Sequence, residues 1–156
     1  DIGFFDPHAR FCPPLRAQSD RQALSDAVAA GWAAICSDHT PLGADDKLLP
    51  FGDAKPGATG LEVLLPLTLK WAGAAGVTLP AALARITSAP AEILGLATGQ
   101  LGVGSAADVC IFDPDATWQL TPETLQSQGK NSPWTGCTMT GRVTMALVAG
   151  RVVYEG

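Results

Sequence analysis

The run Ala33-Ala34-Ile35-Cys36-Ser37-Asp38-His39-Thr40-Pro41 constrains this chain more than any other stretch. Small or apolar residues lead straight into Asp38-His39 and stop at Pro41. A short continuous apolar run closed by a breaker reads as a strand buried on both faces, the habit of parallel sheets. Asp38 is then the first charged group past a buried strand. In α/β proteins chemistry collects at that carboxyl end, where strands open into loops. An Asp followed by His can there bind a metal, move a proton or do both. The same pair can equally cap a loop.

The neighbouring segments predict an α/β unit. Phe11-Cys12 reads as the end of an earlier strand, stopped by Pro13-Pro14. Ser19 opens a helix, with Gln22 three residues on as a capping box requires. Leu24, Ala27 and Val28 form its apolar stripe, and Gly31 closes it. With the strand Trp32–Ser37 this makes one βαβ unit with a parallel pair. Such a pair leaves open edges, so either a longer chain or association with a second copy is expected to cover them. A loop of about twenty residues, Thr40 to Ala58, follows Asp38; loops that long are functional or disordered. Its Lys47 and Lys55 are expected to be solvated. Thr59 and Glu62 suggest a second capping box before a helix carrying Leu61, Leu64, Leu65 and Leu69. Pro66 is expected to kink that helix, and Gly73 and Gly76 to end it. Two short helices follow, from Thr78 to about Ile86 and from Ser88 to about Leu94, with Gly95 as the stop.

From Gly99 the period changes. Asp108–Phe112 reads as a strand broken by Asp113-Pro114-Asp115, and residues 116–140 as irregular. Val143–Val148 and Val152–Tyr154 read as a hairpin across Ala149-Gly150. A boundary near residue 97 therefore separates α/β material, 1–97, from a small antiparallel β-domain, 98–156.

Charge excludes some functions. Ten Lys and Arg against 15 Asp and Glu give a net charge of −5, without the clustered basic surface that nucleic acids or anionic membranes require. Hydrophobic residues make up 47%, enough for a packed core. No apolar run approaches the ~18 residues of a membrane span. Cys12, Cys36, Cys110 and Cys137 form no C-x-x-C pair, which excludes a zinc knuckle or thioredoxin motif. Cys36 and Cys110 lie in apolar runs and read as small buried hydrophobes, in a reduced, cytoplasmic compartment. The chain opens at Asp1 without Met, so a fragment, or a chain whose earlier part is missing, is expected.

Several stretches, in order, resemble one family. Ser37-Asp38-His39-Thr40-Pro41 followed by Gly57-Ala58-Thr59-Gly60-Leu61-Glu62 is similar to the last barrel strand and loop of dihydroorotases, members of the amidohydrolase superfamily. Pro13-Pro14-Leu15-Arg16 resembles the run after their seventh strand, and Thr87-Ser88-Ala89-Pro90-Ala91 the helix after the barrel. The run from Gly102 to Pro114, Asn131-Ser132-Pro133-Trp134 and Gly150-Arg151-Val152-Val153-Tyr154 look like the closing β-domain. The resemblance implies the C-terminal portion of a (β/α)8 TIM barrel, its last two strands and helices, plus a small β-sandwich. It implies a zinc-dependent cyclic amidohydrolase acting on dihydroorotate in pyrimidine biosynthesis, with Asp38 as metal ligand and proton carrier. One or two zinc ions would be held only with ligands from earlier barrel strands, which have no counterpart here. Cys12, His39, Leu42, Gly57 and Gly60 fall at substrate-contacting positions. Leu42 stands where dihydroorotases carry a His, and Cys12 where they carry Asn, so two polar contacts to an anionic ring are lost. Two alternatives follow: a non-catalytic scaffold for aspartate transcarbamoylase, or a related hydantoinase or allantoinase. His39 reads as a loop residue rather than a metal ligand. Arg16 is either a contact to the loop or a substrate, or a surface salt bridge, and His8 carries no assigned role. Trp71, Trp118 and Trp134 are expected to cover hydrophobic surface.

Overall fold

The computed structural model describes residues 4–156; Asp1–Gly3, the opening of the anticipated 1–97 unit, lie outside the described residues. Helix α1 spans Gln18–Ala29. Asp20, in its first turn, accepts the Ala17 N–H at 3.1 Å, where its charge also suits the helix dipole. The expected Ser19–Gln22 box is therefore not used; Gln22 instead donates to Asp26 one turn on, at 2.8 Å.

After Gly31 the run Ala33–Ser37 joins no sheet, and Phe11-Cys12 is likewise irregular. The expected parallel βαβ pair is thus not formed among the described residues. An apolar run encodes burial, but a strand exists only when a neighbour supplies a ladder of hydrogen bonds. Here Ile35 donates to the Arg85 carbonyl at 2.9 Å, and an isolated parallel bridge joins His39 to Ala58. Without strands on either side, Cys36 is exposed rather than buried. Cys110 is exposed too, although partial burial still pushes its thiol up.

Helix α2 spans Leu64–Ala75 and follows a 3-10 turn at Leu61–Val63. Pro66 falls in its first turn, where the N–H would have no intrahelical acceptor, so the expected kink does not arise. Gly76, left-handed at φ 67°, ends the helix. Trp71 Nε1 donates to Ser25 Oγ at 2.9 Å and ties α2 to α1. Two short helices follow, α3 at Leu79–Ala84 and α4 at Ser88–Ile93. Among the described residues no helix is long and apolar enough to cross a membrane.

Three antiparallel strands, β1 Val109–Gln119, β2 Thr138–Val148 and β3 Arg151–Glu155, form a sheet in that order. Asp113-Pro114-Asp115 does not break β1. Between the pairs Asp113–Arg142 and Thr117–Thr140 the register shifts, and Asp113 Oδ1 accepts the N–H groups of Asp115 and Ala116. A bulge lets one strand absorb a proline, because its extra residues need no ladder partner. The β2–β3 turn has Ala149 at φ 49° and Gly150 at φ 79°, the two positive values a two-residue hairpin turn requires.

The core joins α2 to the sheet. Val63, Leu120, Leu125 and Met139 are buried together, with Leu67, Trp118 and Trp134 packed against them. Gly141 of β2 lies directly under α2: a Cβ there would collide with the Leu69 side chain. Trp118 Nε1 donates to the Gly141 carbonyl at 3.0 Å. Large apolar side chains away from this core, including Trp32, Ile93, Leu94 and Leu101, stay exposed.

Candidate functional site

The loop after Asp38 is ordered, and it closes on itself. Thr40 N donates to Ala58 O at 2.8 Å. His39 Nδ1 faces the N–H groups of Gly60 and Leu61 at 3.1 and 3.2 Å. Both partners can only donate, so Nδ1 carries the lone pair and the ring proton sits on Nε2. Gly60 has no room for a side chain: a Cβ would run into the Ser37 carbonyl oxygen. Gly57, at φ 135°, presses on the Thr40 side chain, 2.6 Å from where a Cβ would lie. Both glycines are thus needed for close backbone approach.

A second segment clasps both limbs of the loop. Asn131, 5% exposed, accepts the Leu42 N–H on Oδ1 at 2.7 Å and donates from Nδ2 to Gly57 O at 3.1 Å. Its backbone carbonyl accepts the Thr59 N–H at 2.8 Å, while the Thr59 hydroxyl donates to Gly129 O at 2.5 Å. Thr59 is therefore occupied with this strap and not with a capping box. Glu62, the other half of that expected box, also turns to the strap. Its carboxylate accepts the Gln126 N–H at 2.5 Å, and the Ser127 N–H and hydroxyl at 3.0 and 2.5 Å. Burial pushes this carboxyl up, but those donors, with Lys130 nearby, outweigh it and hold Glu62 below its usual value.

The far arc of the loop is pinned by two cations. Lys47 is buried, not solvated, and its Nζ donates to the carbonyls of Pro7, Lys55 and Arg10 at 3.0, 2.8 and 3.4 Å. Desolvation, and then the Arg10 charge, pull its pKa below the usual lysine value. A buried ammonium is tolerable only when its donors are satisfied, as here. Arg10 donates to the carbonyls of Phe51 and Gly52. Lys55 pairs with Asp46 at 2.8 Å. These bonds account for an ordered loop in a stretch whose composition permits disorder.

Asp38 stands at the bend these contacts define. Its φ is 44°, a conformation that a non-glycine residue adopts rarely and that Asp tolerates better than most. The residue is exposed, and its carboxylate makes no hydrogen bond among the described residues. Cys12, also exposed, lines an open hollow of about 330 Å³ with Arg10, Phe11, Phe51 and Pro56. Asp38 does not line that hollow. Of the sequence-predicted residues, His39 and Gly60 are in direct contact, and Leu42 and Gly57 meet through Asn131. Gly57 also donates to the carbonyl of Arg10, two residues before Cys12, at 2.9 Å.

The residues present do not make a metal centre by themselves. A catalytic zinc takes about three protein ligands. Among the described residues no three His, Cys, Asp or Glu side chains converge. His39 Nδ1 is occupied by two backbone donors and its Nε2 carries the proton, so neither nitrogen offers a lone pair. His8 is engaged with Asp6 at 3.1 Å. Asp38 is thus a free oxygen ligand without companions.

Asn131, Thr59, Glu62 and Lys47 are the residues that sequence reasoning missed. Their partners lie between 8 and 89 positions away, and no periodicity reports such contacts. Asn131-Ser132-Pro133-Trp134 reads from the sequence only as part of the closing β-domain, and nothing in it points to the loop.

A fold and a loop of this kind define a class, and comparison gives it a name. The amidohydrolase family model matches residues 4–154, and the chain belongs to that family. It is 44% identical over 145 residues to a dihydroorotase-like protein of Pseudomonas aeruginosa, covering 92% of this chain and 34% of that protein. It is 40% identical over 152 residues to a dihydroorotase of Syntrophotalea carbinolica, covering 97% and 36% respectively. Among solved structures, an L-hydantoinase (dihydropyrimidinase) from Arthrobacter aurescens aligns with a TM-score of 0.87 at 29% identity, over 99% of this chain and 36% of that one. A D-hydantoinase aligns with a TM-score of 0.82 at 24% identity, over 96% and 34%, a likeness of fold. The chain therefore spans about a third of the length of the curated relatives it matches.

Proposed function

We propose that this chain is the C-terminal part of a cyclic amidohydrolase of dihydroorotase type, opening and closing a ring amide between dihydroorotate and N-carbamoyl-aspartate in the cytoplasm. Residues 1–97 would supply the last two strands and helices of a (β/α)8 barrel, and residues 98–156 a β-sandwich. The reading is supported by family membership and by the names of the relatives. It also accounts for the exposed Trp32, Ile93 and Leu94, which a complete barrel would cover. The observation that carries it is Asp38, a free carboxylate held at a strained bend by a loop that closes on both sides of it.

In ring opening, water adds to the amide carbonyl carbon and the ring C–N bond breaks. Asp38 takes the proton from the attacking water and delivers it to the departing nitrogen, which becomes the terminal NH2 of the carbamoyl group as the hydrolysed carbonyl becomes a carboxylate. Zinc is the cofactor the resemblance implies. Its ligands would have to come chiefly from outside the described residues, and bound there it would supply a hydroxide at neutral pH. Gly57, Gly60, Leu42, Cys12 and the Nε2–H of His39 would face the substrate.

The test is turnover by the full-length protein, with dihydroorotate, hydantoin and allantoin compared. Asn tolerates a positive φ as well as Asp does, so Asp38→Asn should keep the fold. It should lower kcat by about 10²–10⁴, the usual contribution of a general acid–base group. No turnover of any cyclic amide by the folded protein, or an Asp38→Asn variant as active as its parent, would refute the reading. The first outcome, with assembly and transcarbamoylase activity unchanged in Asp38→Asn, is what a non-catalytic scaffold for aspartate transcarbamoylase predicts. That alternative is favoured by the apolar Leu42 and Cys12, and would appear as co-purification of the two proteins.

A further inference from the structure

We propose that Asn131 is a positioning residue for Asp38, acting from outside the loop by locking the two limbs that hold the Asp38 bend. The catalytic consequence rests on the cyclic amidohydrolase reading above; the geometric one does not. A residue at φ 44° stays there only when its surroundings over-determine it. One limb, residues 40–42, leaves Asp38-His39; the other, residues 57–60, returns to it through the Thr40–Ala58 and Gly60–His39 bonds. A surface loop of this length would otherwise move freely.

Asn131 touches both limbs at once, at Leu42 N, Gly57 O and Thr59 N. The requirement is chemical as well as steric. Leu42 presents a donor and Gly57 an acceptor, so the side chain must accept and donate at one place, which an amide does and a carboxylate or alkyl group does not. The strap packs closely on the loop and is anchored beyond it. At Gly129 a Cβ would lie 2.6 Å from both Leu42 N and Pro41 Cβ, and Glu62 grips the strap's other end at residues 126–127. Asn131 is thus set against the loop by a strap whose other end Glu62 anchors, and a displacement of Asn131 is passed to the Asp38 bend.

The experiment uses the full-length protein with Asn131→Asp, which keeps the shape and the acceptor but removes the donor to Gly57, and Asn131→Ala. Two readouts are taken: steady-state kinetics, and the ring 15N signals of His39, whose Nδ1 reports the returning limb. Asn131→Asp should displace the His39 signals and lower kcat by about 10- to 100-fold, the scale of a small misplacement, with KM changed far less. Asn131→Ala should do more; if it fails to fold, the aspartate variant decides alone. Unchanged His39 signals overturn the proposal. So does displaced His39 with kcat at the parental level in an active enzyme. If the parent turns over no cyclic amide, the functional reading falls, and the His39 signals still uphold or overturn the positioning role.

Discussion

Replacing Gly60 by Ala should separate steric necessity from mere flexibility. Gly60 has φ −122° and ψ −24°, which alanine can adopt, so backbone freedom is not what requires glycine. The requirement is contact: a Cβ would strike the Ser37 carbonyl oxygen and lie 3.2 Å from Ser37 C and 3.7 Å from His39 Cα. Backbone cannot rotate aside as a side chain does. Overpacking of this kind costs about 1–3 kcal/mol. The limb must then back away from His39, giving up two hydrogen bonds worth about 0.5–1.5 kcal/mol each. A less flexible unfolded chain offsets about 0.4–1 kcal/mol. The net loss is therefore roughly 1–5 kcal/mol. Gly73, within α2, is the matched control, because a Cβ there meets nothing within 4 Å. Gly73→Ala should stabilise by about 0.5–1 kcal/mol through helix propensity alone. Urea unfolding midpoints at a common m-value measure both. A Gly60→Ala midpoint at or above the parent's, or shifts of the same sign for the two variants, would refute the steric argument.

Two further expectations concern charge. Glu62→Gln should destabilise by about 1–3 kcal/mol, since one carbonyl oxygen cannot serve three donors. The folded carboxyl sits below its ordinary 4.5, so its contribution is complete above that pH and is lost as pH falls through the lower folded value. The difference between parent and variant should accordingly shrink below pH 4.5 in unfolding measurements, and one that stayed constant would contradict this. Lys47 is held below its ordinary 10.5, so the unfolded chain binds more protons and stability should climb as pH rises from the folded value toward 10.5. Lys47→Met should abolish that slope, and an identical alkaline profile in the variant would show that another group titrates.

What could be read from the sequence was local. Glycines at 76, 95 and 150, the hairpin across Ala149-Gly150 and the helix layer between residues 61 and 95 follow from turn chemistry and periodicity. Pro66 was misjudged because a proline's effect depends on where the helix begins, and that boundary moved to Leu64. Asp113-Pro114-Asp115 was misjudged because a breaker and a bulge share one composition. The strand expected at Trp32–Ser37 rested on burial alone, and among the described residues no neighbour supplies it a ladder. At the site, Asp38 was legible as the first charge after an apolar run; its positive φ was not. Lys47 was misread because a lysine in a polar loop looks solvated until three carbonyls are found around it.

The placement of Asp38 is a long-range property. The residues beside it provide the carboxylate, the bend and two long local bonds, from Asp38 N–H to Cys36 Sγ and from the Thr40 hydroxyl to the Asp38 carbonyl, both 3.4 Å, but the limbs that carry the bend are held from elsewhere: by Ala58 and Gly60 from the far limb and by Asn131 from the strap before β2. The strap is anchored in turn by Glu62, one residue before the core residue Val63, and α2 lies on β2 at Gly141. Loop, strap, helix and sheet therefore form one mechanical circuit. The C-terminal sheet is part of what holds the candidate site in shape, even though none of its strands supplies a residue to it.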